Sequence, residues 1–181
     1  MSGSIAKASP WLVASVFVGA LALAATVLAL APLPVTFGIA LLTAIFEFVL
    51  FGWLLGVGLY FNARLHSGPL VPALLPKVAF AFTLAYALFG IPLLFGQPTD
   101  SVSVAVLPLH LLAMVANFFL LWFGCSALRS FELGRRASFY DFAGPFFVVW
   151  LLCVPLPIGP FIVQSRARQL ASETSAAQQS R

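Results

Sequence analysis

The chain has 181 residues, 62% of them hydrophobic and only 8% charged, where an ordinary soluble domain is about a quarter charged. Nine Lys and Arg with five Asp and Glu cannot coat a water-soluble fold of this size, so the solvent must be lipid. Two histidines and two cysteines without a Cys-x-x-Cys pair exclude a zinc module or a disulfide scaffold, and so much apolar surface excludes a disordered chain.

The formal net charge of +4 does not point to nucleic acid. The basic residues are spread singly through connectors between apolar runs, where they orient a membrane protein. The expected class is an all-α membrane protein. Residues 1–163 form a single transmembrane domain, a four-transmembrane-helix bundle with a C-terminal re-entrant or interfacial helical segment, and a polar tail, a short helix that frays into disorder, occupies 164–181.

Along the chain, Lys7 precedes an uncharged run over 11–31, long enough to span a bilayer at about 20 residues per crossing. A secretory signal peptide competes, with Lys7 as its basic end and Ala29-Leu30-Ala31 as its cleavage site. The run exceeds an h-region of about 7–15 residues and Pro32 follows the cut, so an uncleaved span is expected. Pro32-Leu33-Pro34 breaks the helix, and the second span covers 35–61 with Glu47 near its middle. Asn62, Arg64, His66, Gly68, Pro69, Pro72 and Pro76 mark a connector. The third span, 78–95, follows Lys77 and is expected to kink at Pro92, which cannot donate its helical hydrogen bond. Gly96-Gln97-Pro98-Thr99-Asp100 forms a turn, and the fourth span covers 102–128 with Pro108, His110 and Asn117 inside it.

The last apolar stretch, 142–163, contains Gly144, Pro145, Pro155, Pro157, Gly159 and Pro160 and does not read as a plain helix. Gly144-Pro145 suits a helix start, and Pro155 ends that helix after about 15 Å, half a hydrocarbon core. Four spans put Lys7, Arg64, Lys77, Arg129, Arg135 and Arg136 on one side, while the opposite connectors hold no Lys or Arg. That side is cytoplasmic by the positive-inside rule, with the N-terminus on it. A fifth span would carry Arg166 and Arg168 outside, against the trend. A hairpin that dips in and returns is therefore expected, with a shallow interfacial helix as the simpler version, and the C-terminus is also cytoplasmic.

Glu47 is the strongest pointer to a site, because an acid at the centre of a span costs several kcal/mol unless paired or protonated. At about 100° per residue, Thr36, Thr43, Glu47, Gly58 and Asn62 share one side of the second span, and Gly52 and Gly56 lie opposite. Ser103, His110, Asn117 and Gly124 recur every seven residues along one face of the fourth span. Measured from the uncharged side at 1.5 Å per residue, Glu47 is about 18 Å deep, His110 about 12 Å and Asn117 about 22 Å. His110 and Asn117 thus bracket Glu47 in depth, and a Glu47–His110 pair, direct or through water, would satisfy both groups and leave a proton shared between two titratable residues. The cluster of Glu47, His110, Asn117 and Thr43 has three readings: interhelical glue, a proton relay or transport site, and a ligand or lipid site.

Gly52-Trp53-Leu54-Leu55-Gly56 matches the Gly-x-x-x-Gly helix-contact motif, open to homodimerisation or to packing within one chain. Arg129, Arg135 and Arg136 with Phe139 and Tyr140 suit a headgroup layer and anionic lipid, or else form a solvated interfacial loop. Ser138-Phe139-Tyr140-Asp141 has the spacing of a capping box. Cys125 and Cys153 lie in apolar segments, where free thiols behave as small hydrophobes. No serine-hydrolase or zinc-protease motif occurs, and with one histidine inside a span no haem, metal or other cofactor is expected.

The stretches Asp141-Phe142-Ala143-Gly144-Pro145-Phe146-Phe147, Trp150, Pro157-Ile158-Gly159 and Gln164-Ser165-Arg166 resemble the ending of a group of small multi-pass bacterial inner-membrane proteins. Trp53-Leu54 with Gly58 and Leu59 is similar to the same group. Together these stretches cover about a quarter of the chain. It departs from the group's Pro-Ile-Gly and Gln-Pro-Arg ending by Pro155 and by Ser165 in place of proline. The resemblance implies bacterial origin and membrane location and carries no activity. The expectation is a non-enzymatic structural or accessory component of a bacterial inner membrane, with the bilayer, anionic lipids, a second copy or another membrane protein as partners. A proton-coupled transporter or channel, and a lipid-binding protein or lipid-site enzyme, are the alternatives.

Overall fold

A computed structural model describes residues 2–30, 34–96, 100–141, 143 and 158–179. Among them no strand occurs, and the chain is an all-α bundle. The helices are α1 (Ser2–Lys7), α2 (Pro10–Leu30), α3 (Val35–Asn62), α4 (Leu74–Ala85), α5 (Ile91–Gly96), α6 (Asp100–Leu133) and α7 (Ile158–Gln179). A π-helical turn, Tyr86–Gly90, joins α4 to α5 without a break. Among the described residues, four helical stretches are long and apolar enough to cross a membrane: Pro10–Leu30, Val35–Asn62, Leu74–Leu94 and Val106–Leu133. The protein is a multi-pass membrane protein.

Each boundary has a local cause. Pro10 opens α2 at a position where its missing N–H costs nothing. The Pro34 carbonyl accepts from the amides of Phe37 and Gly38 at the start of α3. The Asn62 side chain works like a short piece of strand. Its Oδ1 accepts from the Leu70 amide at 2.7 Å and its Nδ2 donates to the Val71 carbonyl at 3.0 Å, which pins the connector to the end of α3. Gly134 adopts a left-handed φ of 66° and stops α6, as glycine commonly does past a helix end.

The distortion expected at Pro92 lies one turn earlier. Pro92 sits at the second position of α5, and its ring and missing N–H disturb the carbonyl four residues back, inside Tyr86–Gly90. The π turn absorbs that disturbance.

α3 is the centre of the bundle, packed against α1, α2, α4, α5 and α6. Two apolar cores flank its middle. One joins Leu50, Phe51, Trp53, Leu54, Val57 and Phe61 to α1, α2, α6 and α7. The other joins Ala40 and Ala44 to Tyr86, Ala87, Ile91, Val106 and Ala113. α2 lies at the periphery and keeps Trp11, Leu12, Val16, Val18, Leu21, Leu23 and Leu30 outward, as suits a helix solvated by lipid.

Two helices run beyond their expected bounds. The fourth span is expected to end at residue 128, and α6 continues beyond it to Leu133, carrying Arg129 and Glu132. A helix can leave the hydrocarbon without unwinding, and Gly134, rather than the first charge, decides where it stops. The short helix expected in the 164–181 tail starts earlier and runs to Gln179, as α7. Val163, Ala167, Leu170 and Ala171 belong to the core at the charged end, and this apolar stripe at helical spacing holds the helix down. The re-entrant or interfacial reading of 142–163 falls largely on residues outside those described. Of this stretch, Ile158–Val163 form the first turns of α7.

Candidate functional site

The interior polar residues sit between the two cores. Glu47 lies between Ala44 and Leu50 on α3, and Asn117 between Ala113 and Leu120 on α6. Glu47 is 6% exposed, and Asn117 Nδ2 donates to its Oε1 at 3.0 Å. Glu47 Oε2 and Asn117 Oδ1 are both buried without a hydrogen-bond partner. Thr43 takes no part, because its hydroxyl donates back to the Ile39 carbonyl one turn away at 2.9 Å.

Of the two residues that bracket Glu47, Asn117 pairs with it and His110 makes a separate tie. His110 Nδ1 is 2.8 Å from the Tyr86 hydroxyl, and the two rings tilt against each other with centroids 5.6 Å apart. Gly90 makes room for this contact. A Cβ there would lie 2.3 Å from the Tyr86 ring, so only glycine lets the ring fold across the π turn. Asn117 is two helical turns from His110 on the same face of α6, and that depth matches Glu47. The paired residues thus bind α3 to α6 and the α4–α5 helix to α6.

The Gly-x-x-x-Gly motif is occupied within the chain. A Cβ on Gly52 would meet Phe80 of α4 at 3.5 Å, and one on Gly56 would meet Ile5 of α1 at 2.6 Å. A second glycine pair makes another close helix contact. A Cβ on Gly58 would come within 3.2 Å of the Gly124 Cα and 2.5 Å of Phe123, and one on Gly124 within 3.2 Å of the Leu54 carbonyl oxygen. Here α3 and α6 touch backbone to backbone.

At the charged end, Arg129 bonds Glu132 one turn on, and Arg166 of α7 reaches the same carboxylate. Arg135 is held elsewhere, bidentate on Asp141 at 2.9 and 3.3 Å. Arg136 and Tyr140 are exposed, with Tyr140 edge-on to Phe139. The Ser138–Asp141 capping box is half made. Asp141 Oδ2 accepts from the Ser138 amide at 2.8 Å, and the Ser138 hydroxyl donates to the same oxygen.

No family model, curated protein or solved structure matches the chain.

Among the described residues, the most connected buried polar side chain is one that the sequence marks only as part of a motif at the start of the tail. Gln164 is completely buried. Its Oε1 accepts from Trp53 Nε1 at 2.7 Å, and its Nε2 donates to the carbonyls of Ile5 and Ala8 at 2.9 Å and of Ala6 at 3.3 Å. One side chain thereby joins α7, α3 and the turn between α1 and α2. The available signal was the apolar spacing of Val163, Ala167, Leu170 and Ala171, which places Gln164 beside a packed face.

Proposed function

We propose that the protein is a non-enzymatic structural or accessory component of a bacterial inner membrane, with both termini on the cytoplasmic side. The observation that carries this reading is what the interior polar groups do. Glu47–Asn117 and Tyr86–His110 each tie one helix to another, as side chains do when their role is to hold a bundle together. Orientation rests on charge. Lys7, Arg64, Lys77, Arg129, Arg135, Arg136, Arg166 and Arg168 all fall at the end of the bundle that holds α1 and α7, and the opposite connectors hold Asp100 and no Lys or Arg.

A proton-coupled transporter is the second reading. It is favoured by the orphaned Glu47 Oε2 and by the Tyr86–His110 pair on the same bundle interior. Proton flux into liposomes containing the purified protein separates the two. The structural reading expects no flux above empty liposomes for the wild type and for Glu47→Gln alike. Flux in the wild type that is lost in Glu47→Gln overturns it in favour of transport.

A further inference from the structure

A cleft of about 240 Å³ lies between the end of α6 and the start of α7. Its floor is apolar, made by Cys125, Leu128, Ile162 and Val163, and its mouth carries Arg129, Glu132 and Arg166. The two elements run outward together, since Ile162 shares the floor with Cys125 while Arg166 reaches Glu132 one turn further on.

The depth of this cleft is fixed by the rest of the bundle. Glu47 lies near the middle of α3 and its partner Asn117 faces it from α6, so the pair marks a depth near the bilayer midplane. At 1.5 Å per residue, Cys125 is about 12 Å and Arg129 about 18 Å from Asn117 along α6. Half of a hydrocarbon core is about 15 Å. The apolar floor therefore falls inside the hydrocarbon and the guanidinium groups just beyond it, at the level of phospholipid phosphate.

The charges at the mouth are not balanced. Glu132 is shared by two arginines, which leaves one net positive charge. Arg129 Nε is buried and has no hydrogen-bond partner. Arg166 remains nearly half exposed, at 46%, with its Nη1 on Gln169. Guanidinium donors beyond those held by Glu132 and Gln169 can take a phosphate oxygen. A cleft this small, below the roughly 300–1,000 Å³ of a drug-sized pocket, fits a stretch of acyl chain.

We infer that the α6–α7 cleft is a binding site for one anionic phospholipid, with its phosphate between Arg129 and Arg166 and part of an acyl chain against Leu128, Ile162 and Val163. This moves the lipid contact from Arg135, which Asp141 holds, and from the exposed Arg136 and Tyr140, to a shaped recess. It stands independently of the function proposed above.

The full chain, equilibrated with vesicles of equal phosphatidylglycerol and phosphatidylcholine and then examined by native mass spectrometry, tests it. The wild type is expected to retain one phosphatidylglycerol in preference to phosphatidylcholine. R166Q should reduce that retention about fivefold, the weight of one basic residue near a charged leaflet. I162W fills the cleft from its half-exposed side and should reduce retention while keeping both arginines. R136Q, outside the cleft, should leave it unchanged. Millimolar inorganic phosphate should not displace the lipid, because the chain contributes to binding. Equal retention of the two lipids, equal losses in R166Q and R136Q, unchanged retention in I162W, or displacement by phosphate alone would each overturn the assignment.

Discussion

Glu47 and Asn117 share one hydrogen bond and leave one buried oxygen each without a partner. As a neutral acid, Glu47 can close a second bond from its O–H to the amide oxygen, and both orphaned atoms are then engaged. Glu47→Gln supplies an N–H in place of that O–H. It is expected to keep the thermal stability of the detergent-solubilised protein, whereas Asn117→Leu should lower it by about 1 kcal/mol, the usual weight of a membrane hydrogen bond. Equal losses in the two variants would mean that the carboxylate charge itself is needed. Asp141 gives the pH-dependent counterpart outside the membrane. Hydrogen bonds from the Ser138 amide and hydroxyl, and then from Arg135, hold its carboxyl below the ordinary 3.8, at about 2. The sign follows from this depression: ionised Asp141 favours the folded loop above about pH 4, and that contribution fades as pH falls toward 2. The protection of the Ser138 amide from hydrogen exchange, corrected for the intrinsic pH dependence of exchange, should fall across this window, and Asp141→Asn should abolish that dependence. Glu47 could be singled out from sequence because charge inside a span is rare. Its partner could not, because Asn117 and His110 lie on one face and only the π turn, with Gly90 clearing space for Tyr86, decides which of them is left for Glu47.

Among the elements, α7 shows most clearly where local reading fails. Its sequence is polar enough to look like a tail, and its fixed position comes from contacts with residues more than 100 positions away. Gln164→Leu would strip the acceptor from the Trp53 indole and the donor from three carbonyls. Buried groups left unbonded cost about 1–3 kcal/mol each, so a total loss of about 2–4 kcal/mol is expected, allowing for relaxation of the carbonyls. It should be readable as faster tryptic cleavage at Arg166 and Arg168. Trp53→Phe removes the matching donor, so the double variant should lose less than the sum of the two single ones. Cleavage rates unchanged by Gln164→Leu would show that the apolar stripe alone holds α7. The Gly52–Gly56 pair gives a related lesson about helix contacts. The motif was visible, and sequence left open whether it joined two chains or one. α1 and α4 fill it, while the backbone-to-backbone crossing of α3 and α6 falls on Gly58 and Gly124, which no shared motif marks because they lie on different helices.

For the whole molecule, the proposed orientation predicts that a reporter fused after Arg181 reads cytoplasmic, as one fused before Met1 should. A periplasmic reading at the C-terminus would overturn it. The membrane class, the four spans and the charge asymmetry between their ends follow from sequence alone, because hydrophobicity and helix length are local properties and the bilayer imposes the same thickness on every span. Pairing is not local. Glu47 meeting Asn117, His110 meeting Tyr86, Gln164 gathering three segments and the cleft between α6 and α7 all depend on which helix faces which, and at what depth. Packing of close-fitting side chains and glycines sets that choice, and a residue's own sequence neighbourhood carries little trace of it.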